Sequence, residues 1–169
     1  MQWQTARMAE IDPGTMQQAL RPMFGFGRYL EQSSLEESLL HLVMMRASQI
    51  NGCAGCLDMH SKDARAAGES EQRLYLISAW RESGPMFSER ERAALAWTEA
   101  VTLVAEDHIA DAVYEEVRQA FSDDELLALT MSVIAINAWN RLNVALRTVP
   151  GAYQPNDPAI EQLRAALAS

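Results

Sequence analysis

The chain has 169 residues, 49% of them hydrophobic and 22% charged, a balance that excludes a largely disordered or fibrous protein and allows a substantial core. Its net charge of −9, with no local Lys/Arg cluster, argues against unaided nucleic-acid binding, because phosphate would be repelled. The segment Met1 to Arg7 lacks a basic stretch followed by an apolar run, and Leu126 to Ile136 is too short to span a bilayer. We therefore expect one compact cytoplasmic domain over residues 1–169, with no signal peptide and no membrane contact.

Helix signals recur along the chain and strand signals are nearly absent. Asp12-Pro13 reads as an N-cap with proline at the first helical position, opening a short helix to about Leu20; Pro22, Gly25 and Gly27 argue against its continuation. Ser34 with Glu37, Ser88 with Glu91 and Ser122 with Glu125 each carry the Ser-x-x-Glu capping box ahead of an apolar run. The first opens a helix from about Leu35 to Gln49, whose Leu39, Leu42, Val43 and Ala47 form a buried stripe. Asn51-Gly52 breaks it, and a new helix begins at the cysteines and runs to Gly68. Further helices are expected from Ser70 to about Trp80, Ser88 to about Val104, Ala110 to Ala120 and Ser122 to about Thr148, then a short tail from Ile160 to Leu167. The fold class is an all-α helical bundle.

Both cysteines and one of three histidines fall within Cys53-Ala54-Gly55-Cys56-Leu57-Asp58-Met59-His60. On a helix Cys53, Cys56 and His60 stand at i, i+3 and i+7 and share one stripe. The thiolate is the reactive form of cysteine, a helix N-terminus favours it, and a histidine one turn away adds a proton acceptor. Cys56 is nearer His60 and is the better nucleophile, which leaves Cys53 to resolve. Attack of the Cys56 thiolate on a peroxide gives a sulfenic acid that Cys53 condenses with to form a disulfide. The same pair could instead be small buried residues, or three ligands of a zinc site lacking a fourth. Haem attachment is excluded, because Leu57 follows the second cysteine.

Other groups carry less. His41 and Glu37 stand four apart on the preceding helix and share a face, although Glu37 can also serve its cap. His108 falls near a turn and is expected to be exposed. Met44, Met45, Trp80 and Trp97 read as core. Asn137, Trp139, Asn140, Arg141 and Asn143 interrupt the apolar last helix with mostly polar groups, which need hydrogen bonds between helices or subunits.

The segment Arg46-Ala47-Ser48-Gln49-Ile50-Asn51-Gly52-Cys53-Ala54-Gly55-Cys56-Leu57-Asp58-Met59-His60 closely resembles the signature of the alkylhydroperoxidase D core within the carboxymuconolactone decarboxylase-like family. Ile136-Asn137-Ala138-Trp139-Asn140-Arg141-Leu142-Asn143 resembles a segment of its single-domain members, so the likeness covers about Leu35 to Ala145. The resemblance implies an all-α fold, assembly as homotrimers or homohexamers, no metal or flavin cofactor, and a dithiol reductant such as a lipoyl group or a thioredoxin-like protein. It also implies Cys56 as peroxidatic nucleophile, Cys53 as resolving thiol and His60 in a proton relay. The family relay often begins with a glutamate twelve residues before the first cysteine, where this chain has His41. Histidine can pass a proton near neutral pH without a fixed charge, so His41 is taken as a further site residue. The expected function is reduction of hydrogen peroxide or organic hydroperoxides; the alternative is a non-catalytic redox-sensing or interaction protein whose Cys53–Cys56 disulfide controls assembly or partner binding.

Overall fold

A computed structural model describes residues 6–158. The described residues form eight α-helices and no strand: α1 (Pro13–Glu31), α2 (Glu37–Asn51), α3 (Ala54–Ala66), α4 (Glu71–Leu76), α5 (Glu89–Thr102), α6 (Val104–Asp107), α7 (Asp111–Ala120) and α8 (Asp123–Ala145). The all-α expectation holds. The expected tail helix, Ile160 to Leu167, lies outside the described residues.

Helix α2 is the axis, packing against α3, α5 and α8. Its expected stripe is buried: Leu39 and Val43 join Ala94, Trp97, Val117, Leu129 and Val133 in one apolar cluster. Leu42 and Met45 face a second cluster with Ala64, Ile77, Trp80, Phe87 and Leu95. Both faces of α2 are thus filled by long-range apolar contacts, which fixes its rotation and so the direction in which its C-terminal end delivers the cysteines.

Two of the three capping boxes form: Ser88 with Glu91 opens α5, and Ser122 with Glu125 opens α8. The box at Ser34 and Glu37 does not. Glu36 is the N-cap of α2 and makes no side-chain cap, because its carboxylate is taken by Arg90, whose Nε and Nη2 donate to it at 3.0 and 3.1 Å. Arg90 also reaches Glu125 at 2.7 Å and the Ala120 carbonyl at 2.6 Å, and its guanidinium lies over the Phe121 ring. A tertiary charge cluster thus displaces the local cap.

Three other boundaries differ from expectation. Helix α1 runs through Pro22 to Glu31, where a stop was expected after Leu20. Its half-buried Met16, Leu20, Met23 and Phe24 form a helical stripe, α1 packs on α8, and Phe24 meets Trp139 edge to face at 5.5 Å. That packing offsets the one hydrogen bond that proline deletes. The segment from Ser70 tightens after Leu76 into 3-10 turns, which bury Ile77 and Trp80. Helix α8 ends at Ala145 rather than Thr148: Arg147 adopts φ 54°, and Thr148 turns back so that its N–H meets the Asn143 carbonyl at 2.9 Å.

Glu99 on α5 ties three segments together. Its Oε1 accepts from Arg46 Nε on α2 at 2.7 Å and from Trp80 Nε1 at 2.9 Å, and Oε2 pairs with Arg81. Burial pushes its pKa up, but the hydrogen bonds from Trp80, Arg81 and Arg46 outweigh this and hold it below the usual glutamate value. A depressed folded pKa adds stability above the ordinary value, lost as pH falls through the folded one. Glu99→Gln is expected to destabilise the protein by about 2 kcal/mol at pH 7. In urea unfolding the gap between wild type and variant should shrink below roughly pH 4; a gap that widens there contradicts this account.

Candidate functional site

The turn between α2 and α3 aims the thiols. Gly52 closes α2 at φ 64°, a left-handed conformation that favours glycine, with its N–H on the carbonyls of Ser48 and Gln49. The Cys53 N–H then returns to the Ser48 carbonyl at 3.0 Å. Cys53 is the N-cap of α3, and its Sγ accepts the Cys56 N–H at 3.3 Å. The two cysteines are paired as a disulfide, with Cα atoms 5.3 Å apart. Both are only 1% exposed.

His60 is buried on the same helix as the cysteines. His41 lies on α2, which packs against α3, but it makes no hydrogen bond to any of the three: both of its ring nitrogens are buried without a hydrogen-bond partner. Glu37 stands one turn before it, with Oε1 3.7 Å from Nε2 and a mostly exposed carboxylate. The structure thus brings Cys53 and Cys56 into a bond, puts His60 on their helix, and leaves His41 on the adjoining one. His108 is exposed.

The asparagine-rich stretch of α8 meets the end of α2. Asn51 Nδ2 donates to Oδ1 of Asn137 and Asn140 at 3.0 and 2.9 Å, and to the Ala47 carbonyl. Asn140, fully buried, donates to Ser48 Oγ at 3.0 Å, and Asn137 donates to Thr102 Oγ1 on α5. The expected bonding between helices is present, and it anchors the residues just before Cys53. Sequence reasoning missed one contact: Asn143 Nδ2 donates to Cys56 Sγ at 3.5 Å. Its signal was visible, since Asn143 follows Asn140 by three and shares its flank of α8.

After α8 the chain crosses the outer face of α3. Thr148 lies so near Gly55 that a Cβ there would sit 3.2 Å from Thr148 Cγ2. The Gly151 N–H donates to Asp58 Oδ2 at 2.9 Å, Lys62 Nζ donates to the Tyr153 carbonyl at 2.9 Å and to Asp58, and the Tyr153 hydroxyl donates to Asp63 at 2.6 Å. Among the described residues no group of three or more His, Cys, Asp or Glu is placed to hold a metal ion, and no helix is long and apolar enough to cross a membrane.

A buried CxxC pair at the start of a helix, inside an all-α bundle, defines a class of thiol-bearing helical protein of the alkylhydroperoxidase D type. The chain belongs to the carboxymuconolactone decarboxylase family, whose profile matches residues 4–100. It is 37% identical over 129 residues to the uncharacterized protein YdfG of Bacillus subtilis (strain 168), covering 76% of this chain and 87% of that one. The crystal structure of ATU0492 from Agrobacterium tumefaciens, a protein of unknown function for which an AhpD antioxidant-defence role is suggested, superposes with a TM-score of 0.80 at 41% identity. That match covers 88% of this chain and all of the other. An alkylhydroperoxidase AhpD core protein from Ralstonia eutropha JMP134, described as peroxidase-related, matches with a TM-score of 0.69 at 17% identity, covering 80% and 72% of the two chains. At that identity the likeness is one of fold.

Proposed function

We propose that the protein is a thiol-dependent peroxidase reducing hydrogen peroxide or small organic hydroperoxides through a Cys53–Cys56 dithiol/disulfide cycle. The observation that carries this reading is the pair itself: two sulfurs at bonding distance at the first turn of α3, with a buried histidine on the same helix. The Cys56 thiolate attacks a peroxide oxygen, the O–O bond breaks, and the departing alkoxide or hydroxide takes a proton, leaving Cys56 as sulfenic acid. The Cys53 thiol then attacks that sulfur, the S–S bond forms and water leaves. An external dithiol, a lipoyl group or a thioredoxin-like protein, returns the two electrons. His60 moves the proton at the sulfur. His41 stands in for the usual glutamate, and its two unpartnered buried nitrogens suit a group that must take up and release a proton.

A reducing cytosol suits such a cycle, and self-association as trimers or hexamers is supported by Leu127 and Ile134, two apolar side chains that α8 leaves exposed. The test is consumption of hydrogen peroxide and of an alkyl hydroperoxide by the purified protein, with dihydrolipoamide or thioredoxin as reductant. Steady consumption is the expected result. Stoichiometric oxidation without turnover, accompanied by a change in oligomer size, would instead assign the disulfide to a redox switch.

A further inference from the structure

We propose that Asn143 is a catalytic residue of the thiol chemistry and that Thr148 positions it: the Asn143 amide favours the Cys56 thiolate while the Thr148 hydroxyl, with the Trp139 carbonyl, holds its N–H end on the sulfur. This rests on reading Cys56 as the nucleophile.

Every hydrogen-bonding group of the Asn143 side chain is engaged. Nδ2 donates to the Trp139 carbonyl at 3.0 Å and to Cys56 Sγ at 3.5 Å, while Oδ1 accepts the Thr148 hydroxyl at 2.7 Å. Turning the amide over would set its oxygen against the Trp139 carbonyl and against a sulfur that is an acceptor when ionised. The Trp139 carbonyl, which can only accept, thus keeps the N–H end on Cys56, and the Thr148 hydroxyl, donating to Oδ1, holds the amide plane in place. An N–H donated to a thiolate favours the charged form, and more strongly at a sulfur withdrawn from water.

Thr148 is itself held from several sides. Its backbone N–H is bound to the Asn143 carbonyl, its methyl packs on Gly55, and the chain beyond it is fastened across α3 by the Gly151–Asp58 and Tyr153–Asp63 hydrogen bonds. The hydroxyl therefore has a fixed location relative to the cysteine helix. The segment after α8 thus ties Thr148 to α3, the helix that carries Cys56.

The test uses the full chain in a Cys53→Ser background, where Cys56 is a lone thiol and serine retains the cap. Iodoacetamide alkylation of Cys56 at neutral pH, its ultraviolet thiolate absorbance and the thermal midpoint are measured together. Thr148→Val keeps volume and branching, so the thermal midpoint should change little. Losing one hydrogen bond to a charged group, partly offset by higher intrinsic nucleophilicity, should slow alkylation about three- to tenfold in Thr148→Val and Asn143→Ala. Thr148→Ser should restore the parental rate, and the double variant should be no slower than Asn143→Ala alone. Asn143→Asp retains an acceptor for Thr148 but turns an oxygen toward the sulfur, and should also slow the reaction. Parental rates in Thr148→Val or Asn143→Asp, equal slowing by valine and serine, or independent effects in the double variant would overturn the proposal. Alkylation needs no peroxide. Altered alkylation without any peroxide turnover would sink the peroxidase reading alone, and turnover with unaltered alkylation would sink this one alone.

Discussion

Replacing Cys56 by serine is expected to reduce peroxide consumption to the uncatalysed rate, whereas Cys53→Ser should support one turnover and then stall with a sulfenic acid on Cys56. The asymmetry follows from position. Cys56 has the N–H of Asn143 on its sulfur and His60 one turn along the helix, while Cys53 sits at the cap and receives the Cys56 N–H. Both serine variants retain a small polar side chain at a buried site, so loss of fold is not the expected cause of lost activity. Rapid mixing with hydrogen peroxide, followed by a sulfenic-acid trap and mass analysis, distinguishes the roles. A trapped sulfenic acid on Cys53 in the Cys56→Ser protein, with turnover retained, would reverse the assignment.

The second large effect is expected at Asn140, whose role is structural. Its side chain is fully buried, accepts from Asn51 and donates to Ser48, and so joins α8 to the last turn of α2. Truncating it to alanine takes the donor from the buried Ser48 hydroxyl, removes one of the three acceptors of Asn51 and opens a small cavity. The combined penalty should be about 2–4 kcal/mol, which is a large share of a small protein's stability. Urea unfolding at neutral pH checks this, with the denaturant slope confirming that the unfolded state is unchanged. A loss below about 0.5 kcal/mol, the range of an ordinary surface substitution, would show that the amide network does not hold these helices together.

The sequence disclosed the groups whose meaning is local. The Cys53–His60 spacing, the Ser88 and Ser122 capping boxes and the apolar period of α2 depend on neighbours within a turn or two, and each has its expected helical placement. What it concealed depends on partners distant in the chain. Pro22 reads as a stop until α8 is known to lie beneath Phe24; Ser34 reads as a cap until Arg90 is known to bind Glu36. Asn143 was visible as one of several polar residues on α8, but its contact with Cys56 joins positions 87 residues apart. No periodicity could expose that pairing. The placing of Glu99 among Arg46, Trp80 and Arg81 was hidden for the same reason. The roles of Cys53, Cys56, His60 and His41 in a reaction are matters for the kinetic experiments.

Cys53 occupies the boundary where α3 begins, and its sulfur accepts an amide of that helix's first turn. Serine, aspartate or asparagine would serve that boundary better, since sulfur is a weak acceptor. The start of the helix is therefore written in an atom whose oxidation state changes during the proposed cycle. When the sulfur passes between thiol and disulfide, the acceptor facing the Cys56 amide changes its bonding with it. The atom that is oxidised in the proposed cycle is thus also the atom that caps the helix.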